Sequence, residues 1–444
     1  MIFTQFVDDA LGCASYLVGD PGTGQAVVVD PAFAIEQYLD EAERRDVRIA
    51  RVHETHTHAD HLSGHGRLAL EHGVPVSIHP AAEAGYPHDP LPDGAEIELG
   101  DIVLRCIHTP GHRPEHCCFA VIDRTRSDEP WLVLTGDSLF VGDAARPDLA
   151  VEAREGAEGL FHSLRRLTEL GDGVEVYPGH VAGSLCGKAM SSKASTTIGF
   201  ERRFNPALQT NDVALFVAES AGVSTPRPPN MERIVELNRG PFVGAPPEPE
   251  ELAAPPADAQ VLDVRPVADF AAGHHPGALS VPVTGTRFST KAAFVLDGGS
   301  VVVAATDAEE ATDAIRGLRS VGILDIAGYV LGGGPEKLEL VSVEQLDELL
   351  EQGAELIDVR EKDERDTGYI AGSRNIPYRL LALGEADLPR DRPIVTICET
   401  GQRAAIAASI LSAHGFDAHP VWNGGIDSWV ASGKPTVEFR RCGS

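Results

Sequence analysis

Short apolar runs recur along the chain, and several are separated by stretches with helical spacing. Ile49 to Val52, Ile102 to Ile107, Trp131 to Leu134 and Val174 to Tyr177 have the length and composition of strands. Val301 to Ala304 and Ile394 to Ile397 are similar β-branched runs. Each is followed by a helical pattern, Ala308 to Val321 and Gln402 to His414, that stops at Gly322 or Gly415. Strands alternating with helices predict parallel sheets covered on both faces. The longest apolar runs, around Val27 to Val29 and Val301 to Ala305, fall far short of the roughly 20 residues of a membrane span, so no membrane partner is expected.

The second half repeats itself. The segment beginning at Val261 aligns without gaps on the one beginning at Leu356, placing Asp263 on Asp358, Arg265 on Arg360, Gly273 on Gly368, Gly277 on Gly372 and Pro282 on Pro377, each 95 apart. A stretch rich in proline and acidic residues, Pro241 to Pro256, precedes the repeats and predicts an extended linker. The expected organisation is a first domain over 1–244, a linker over 245–256, and two copies of a smaller domain over 257–338 and 339–444.

Length agrees with several domains: 444 residues exceed one core. The formal charge of −30 excludes a basic nucleic-acid-binding surface. The N-terminal segment has no basic start and carries Asp8 and Asp9 where a signal peptide needs apolar residues, so a cytoplasmic protein is expected, with a homo-oligomer as the assembly. Seven cysteines in no regular framework fit reduced thiols.

Histidine marks the first half as chemically distinct, since 13 of 17 lie between His53 and His180. Polar clusters follow the four predicted strands: THTHADH from Thr55 to His61, HTPGH ending at His112, TGD ending at Asp137 and PGH ending at His180. His56 and His58 alternate on an extended segment and face one side, while Asp60 and His61 are expected to start the next helix. Seven candidate metal ligands result: His56, His58, Asp60, His61, His112, Asp137 and His180. The bland reading makes these capping and turn residues.

This series resembles the metallo-β-lactamase superfamily over about Met1 to Val243, which implies an αββα sandwich. The superfamily includes binuclear zinc hydrolases and mononuclear iron oxygenases. The continuation SLFVGDAARPDL after Asp137, with ERRFNPAL at Glu201 and PPNMERIVELNRGP at Pro228, resembles its persulfide dioxygenase branch, although Ala145 stands where that branch often has glycine. The resemblance implies one Fe(II) per chain on His56, His112 and Asp137, with His58, Asp60, His61 and His180 around it, and Arg146 and Asp148 near the substrate. Two imidazoles and a carboxylate leave open positions on Fe(II) for a persulfide sulfur and O2. Zinc, without a redox step, could only hydrolyse. Arg146 is read either as a cation for the carboxylate of a glutathione-like substrate or as a partner of Asp148. Cys186, six residues after His180, is read as a core thiol or as a persulfide-holding thiol. Cys117 and Cys118 point to opposite faces of a strand and form no chelate, and with Cys13, Cys106 and Cys442 they are expected to be structural.

In the last repeat Cys398, Glu399, Thr400, Gly401, Gln402 and Arg403 follow a strand and open a helix. Such a loop aims N–H groups at an anion, and Arg403 is expected to add to that field. A Cys there is expected to be nucleophilic. The loop resembles the rhodanese active site, and the likeness extends over about Val341 to Phe439, including DVR at Asp358 and WNGGIDSW at Trp422. It implies three-layer α/β domains with parallel sheets. The matching loop of the first copy, Ala305 to Glu310, lacks both Cys and Arg and carries Asp307, Glu309 and Glu310, so that copy reads as catalytically dead and used for packing or docking.

Together the resemblances imply iron-dependent oxidation of a low-molecular-weight persulfide, such as glutathione persulfide, by O2 to sulfite. Sulfur transfer at Cys398 would couple this to thiosulfate. The alternatives are a zinc thioester hydrolase of the hydroxyacylglutathione type and a non-catalytic sulfur carrier.

Overall fold

Tyr16, Val18, Val27 and Val29 alternate with Leu17, Ala26 and Val28 along two paired strands, and this period of two gives the first sheet two buried apolar faces. Burying each such side chain contributes roughly 1.5–3 kcal/mol. The protein is described by a computed structural model covering residues 1–8, 10–147, 153–181, 191, 193–220, 228–384 and 387–438. Two units divide the chain, Met1–Pro246 with Arg319–Gly322, and Pro247–Leu318 with Ile323–Ser444.

In the first unit the strands Ile2–Asp8, Cys13–Asp20, Gln25–Val29, Arg48–His53, Val76–Ile78 and Asp89–Pro90 form one sheet in that order, antiparallel at first and then parallel. A second six-stranded sheet runs Thr196–Thr197, Glu175–Pro178, Leu132–Gly136, Cys117–Asp123, Ile102–His108, Glu96–Glu98. Between the sheets lie Tyr16, Val18, Val27 and Val29 from one and Leu104, Phe119, Val121 and Leu134 from the other. The helices Glu36–Arg44 and His65–His72 pack with the outer face of the first sheet, and Ala153–Leu167 with that of the second, completing an αββα sandwich.

Cys117–Asp123 is antiparallel to both its neighbours, and Leu132–Gly136 is parallel to Glu175–Pro178, so three strands of the second sheet end at one edge. Their following loops carry His112, Asp137 and His180. Two local expectations need correction. The third strand starts at Leu132, leaving Trp131 39% exposed. Asp60 and His61 do not start a helix: the chain bends until His65, which lets their side chains turn toward the strand ends.

The second unit contains two parallel four-stranded sheets of the same order. One is Leu279–Ser280, Gln260–Asp263, Val301–Ala305, Ile326–Leu331; the other is Arg374–Asn375, Glu355–Asp358, Ile394–Ile397, Ala418–Pro420. The repeated Asp-x-Arg forms the same buried ion pair in each. Arg265 donates from Nε and Nη2 to Asp263 at 3.0 and 2.6 Å and from Nη2 to the Gly273 carbonyl at 2.8 Å. Arg360 does the same to Asp358 at 3.0 and 2.7 Å and to Gly368 at 2.7 Å. Buried residues of both copies form one continuous core, and Ser280 N donates to Ser409 Oγ across it at 2.9 Å. Part of the stretch expected to be linker is structured: the Leu252 N–H donates to the Tyr329 carbonyl and the Tyr329 N–H to the Glu250 carbonyl, because the edge of the Ile326–Leu331 strand has N–H and C=O groups to satisfy. No helix among the described residues is long and apolar enough to cross a membrane.

Candidate metal centre and sulfur-transfer loop

The strand Arg48–His53 delivers His56 toward the edge where the second sheet presents His112 and Asp137, and these three offer ligand atoms within 4.8 Å of one another, all buried. Each ring is held in a defined sense. Thr55 Oγ1 donates to Asp30 Oδ2 at 2.8 Å, so it accepts from His56 Nδ1 at 2.9 Å and leaves the His56 Nε2 lone pair exposed to the site. His112 Nδ1 donates to the Arg146 carbonyl at 3.0 Å with the same consequence. Burial, helped by the neighbouring His58, His112 and His116 rings, pushes the His56 pKa well down. Burial also lowers that of His112 against the pull of Asp137, so both rings are neutral donors.

Asp137 Oδ2 is buried without a well-aligned hydrogen bond, although His112 Nε2 and His180 Nε2 stand 3.5 and 3.2 Å away. Burial opposes its ionisation, but His180 and His112 hold its carboxyl below the usual range. Two neutral imidazoles and an orphaned carboxylate oxygen converging in a buried space suit a divalent cation. Gly136, at φ +46°, permits this packing, since a Cβ there would lie 2.8 Å from both His116 Nε2 and Thr55 Oγ1.

His58 does not join the triad. Its Nε2 lies 3.2 Å from Asp30 Oδ1 and 3.1 Å from Glu54 Oε2, and the three form a separate buried cluster. Burial favours the neutral ring, but these two carboxylates carry the His58 pKa well above its ordinary value. Asp60 and His61 sit on the other side: Asp60 Oδ1 lies 3.1 Å from His61 Nδ1, and Asp60 Oδ2 lies 3.2 Å from His180 Nε2. Cys13, expected to be merely structural, belongs to this group, with Sγ 3.4 Å from Asp60 Oδ2 and 3.6 Å from His61 Nδ1.

Arg146 is buried, 7% exposed, and serves His112 through its backbone carbonyl. Asp148, Cys186 and Cys442 lie outside the described residues. Sequence reasoning missed Asp30, Glu54 and His116. His116 Nε2 accepts the Asp137 N–H at 2.9 Å while Nδ1 donates to Thr109 Oγ1 at the same distance, fixing the backbone that carries the carboxylate. The only signal available was the density of histidines around it.

In the second unit Cys398 follows the strand Ile394–Ile397 and is 1% exposed. Its Sγ accepts the Gly401 N–H at 3.1 Å. Gly401 has φ +110°, and a Cβ would press on Trp422 and the Val421 carbonyl at 3.1 Å. Glu399 and Thr400 are exposed, and Gln402 opens the helix Gln402–Ala413. Arg403 differs from expectation: its two terminal nitrogens donate to Glu364 at 2.6 and 2.7 Å, because that carboxylate offers a bidentate partner.

Strand register makes Ala305 the counterpart of Cys398, since Ala304 pairs with Asp263 as Ile397 pairs with Asp358. In this copy Glu310 Oε2 accepts the Thr306 N–H at 2.6 Å and Asp307 Oδ1 accepts the Glu310 N–H at 2.9 Å. The chain's own carboxylates thus occupy the helix N-terminus that an anion would use.

A model described as the Metallo-beta-lactamase superfamily matches residues 8–180, and one described as a Rhodanese-like domain matches residues 342–432. An uncharacterized protein of Mycobacterium tuberculosis is 32% identical over 239 residues, spanning 47% of this chain and 98% of its own. The mitochondrial persulfide dioxygenase ETHE1 of Bos taurus is 28% identical over 238 residues, spanning 52% of this chain and 85% of its own. A solved metallo-beta-lactamase structure from Staphylococcus aureus subsp. aureus COL superposes with a TM-score of 0.69 at 28% identity, covering 75% of this chain and 99% of that one.

Proposed function

This chain belongs to the metallo-beta-lactamase superfamily and carries a rhodanese-like domain, and we propose that it oxidises a low-molecular-weight, glutathione-like persulfide with O2 to sulfite on one Fe(II) and exchanges sulfane sulfur at Cys398. The observation that carries this reading is the convergence of His56, His112 and Asp137 in one buried group, while His58 Nε2 is held by Asp30 and Glu54. Two imidazoles and a carboxylate are the donor set of non-haem Fe(II) oxygenases. The similarity to the bovine persulfide dioxygenase supports the substrate class. Fe(II) held there would supply open coordination positions and a redox couple that zinc lacks.

The chain's own groups do the rest. Thr55 and the Arg146 carbonyl keep the ring protons of His56 and His112 on Nδ1, and His116 fixes the Asp137 backbone. In the second unit a Cys398 persulfide gives up its outer sulfur to sulfite. The sulfite sulfur lone pair forms the new S–S bond of thiosulfate, the persulfide S–S bond breaks, and Cys398 leaves as thiolate with that electron pair. Gly401 N–H is placed to hold that thiolate. No electrons are gained or lost overall, and the reverse reaction loads Cys398 from thiosulfate. Tethering both activities raises the effective concentration of the shared intermediates.

A two-zinc thioester hydrolase is the second reading, favoured by His180 Nε2 lying 3.2 Å from both Asp60 and Asp137 beside Cys13 and His61. Metal analysis with oxygen uptake on glutathione persulfide tests both. One iron per chain and O2 consumption are expected. Two zincs with thioester hydrolysis would overturn the proposal, and sulfur transfer without O2 uptake would favour a carrier.

A further inference from the structure

A sulfur-transfer loop that handles sulfite and thiosulfate needs positive charge at its mouth, and Arg403 is already engaged. Both its terminal nitrogens go to Glu364, and Glu399 stands 3.7 Å from Nη2. The catalytically silent copy supplies another cation. Its helix Phe288–Val295 is anchored by buried Phe288, Ser289, Ala292 and Ala293, and Lys291 on it reaches the loop, with Nζ donating to Gln402 Oε1 at 3.3 Å. The turn before that helix approaches the same residue, since a Cβ on Gly285 would lie 3.6 Å from Gln402 Oε1 and 3.9 Å from Lys291 Nζ. Lys291 is half-buried, and among the described residues it has no carboxylate partner within ion-pair distance.

We propose that Lys291, contributed by the silent copy, is a specificity-determining residue of the Cys398 site that binds the sulfonate oxygens of thiosulfate and the oxygens of sulfite. The inference rests on the sulfur-transfer reading of Cys398. A half-buried ammonium whose one hydrogen bond is to a neutral amide is incompletely compensated, and an oxyanion at the loop mouth completes it. Burial, followed by the charges of Arg403 and Arg287, lowers the Lys291 pKa to about 8 while Cys398 pulls it up, so the three cations and the thiol share one electrostatic field. This gives the silent copy a task that its own acidic loop could not perform: it completes the anion site of its sister.

The test is steady-state transfer from thiosulfate to cyanide by the full chain. Lys291→Gln is expected to raise KM for thiosulfate about tenfold or more, the loss of one charged hydrogen bond, with a smaller change in kcat, and Lys291→Arg is expected to restore most of it. An unchanged KM in a folded Lys291→Gln protein would overturn the proposal. A second measurement needs neither variant nor turnover: acetylation of Lys291 in the native protein, read by peptide mass spectrometry with and without sulfite. Protection by sulfite supports the proposal, and equal labelling overturns it. Absence of sulfur transfer in the native protein would count against the function proposed for Cys398, while the labelling result would still decide the role of Lys291.

Discussion

Thr55→Val tests whether the metal centre depends on the hydroxyl relay behind it. The substitution keeps the branch point and the Thr55 N–H bond to Asp30 Oδ1 at 2.7 Å, but removes the oxygen that bonds Asp30 Oδ2 at 2.8 Å and His56 Nδ1 at 2.9 Å. Both partners are buried, so each is left unsatisfied at a cost of about 1–3 kcal/mol. The His56 ring also loses the contact that fixes its protonated nitrogen. Losing such an orienting partner lowers metal affinity about 10–100-fold, or about 1.4–2.8 kcal/mol. Metal affinity would be read by competition with a chelator of known strength, and apo-protein melting would separate the stability cost from the affinity cost. Thr55→Ser should retain most of the native affinity. A Thr55→Val protein that melts lower but holds metal as tightly as the native chain would refute the orienting role.

Cys398→Ser should abolish thiosulfate formation and leave persulfide oxidation intact, shifting the product to sulfite, because a hydroxyl forms no persulfide; unchanged thiosulfate yield would place the transfer elsewhere. Restoring only the thiol in the first copy, Ala305→Cys in a Cys398→Ser background, should give no turnover with thiosulfate and cyanide, since Glu310 and Asp307 already occupy the loop's N–H groups. Substantial turnover would show that these carboxylates are no barrier. Burial tends to raise the Glu364 pKa, but Arg403 outweighs it and holds the carboxyl below its ordinary value. Its contribution to stability is therefore present above the unfolded glutamate value of about 4.3 and is lost as pH falls through the lower folded value. Glu364→Gln should melt lower than the native chain at neutral pH and show a flatter decline on acidification; parallel melting curves against pH would contradict the pairing.

The strand-end histidine and aspartate motifs, the 95-residue repeat and the loop from Cys398 to Arg403 are local patterns, and each was legible because period, spacing and turn chemistry act over a few residues. They predicted the paired parallel-sheet domains and named most side chains of the candidate sites, while the αββα first half was implied by the resemblance those motifs carry. What they left open is where each polar atom points, which depends on partners far along the chain. Asp30 turns His58 Nε2 to itself at 3.2 Å, and His116 fixes Asp137. Cys13, from the second strand, reaches Asp60 and His61. The same limit explains Arg403, which from its loop alone faces an anion but in the fold finds Glu364. It also explains Lys291, which sits on a helix of the first copy, whose loop carries neither the Cys nor the Arg. A buried charge is placed by whichever compensating group the tertiary packing brings within a few ångströms, and no run of neighbouring residues encodes that distance.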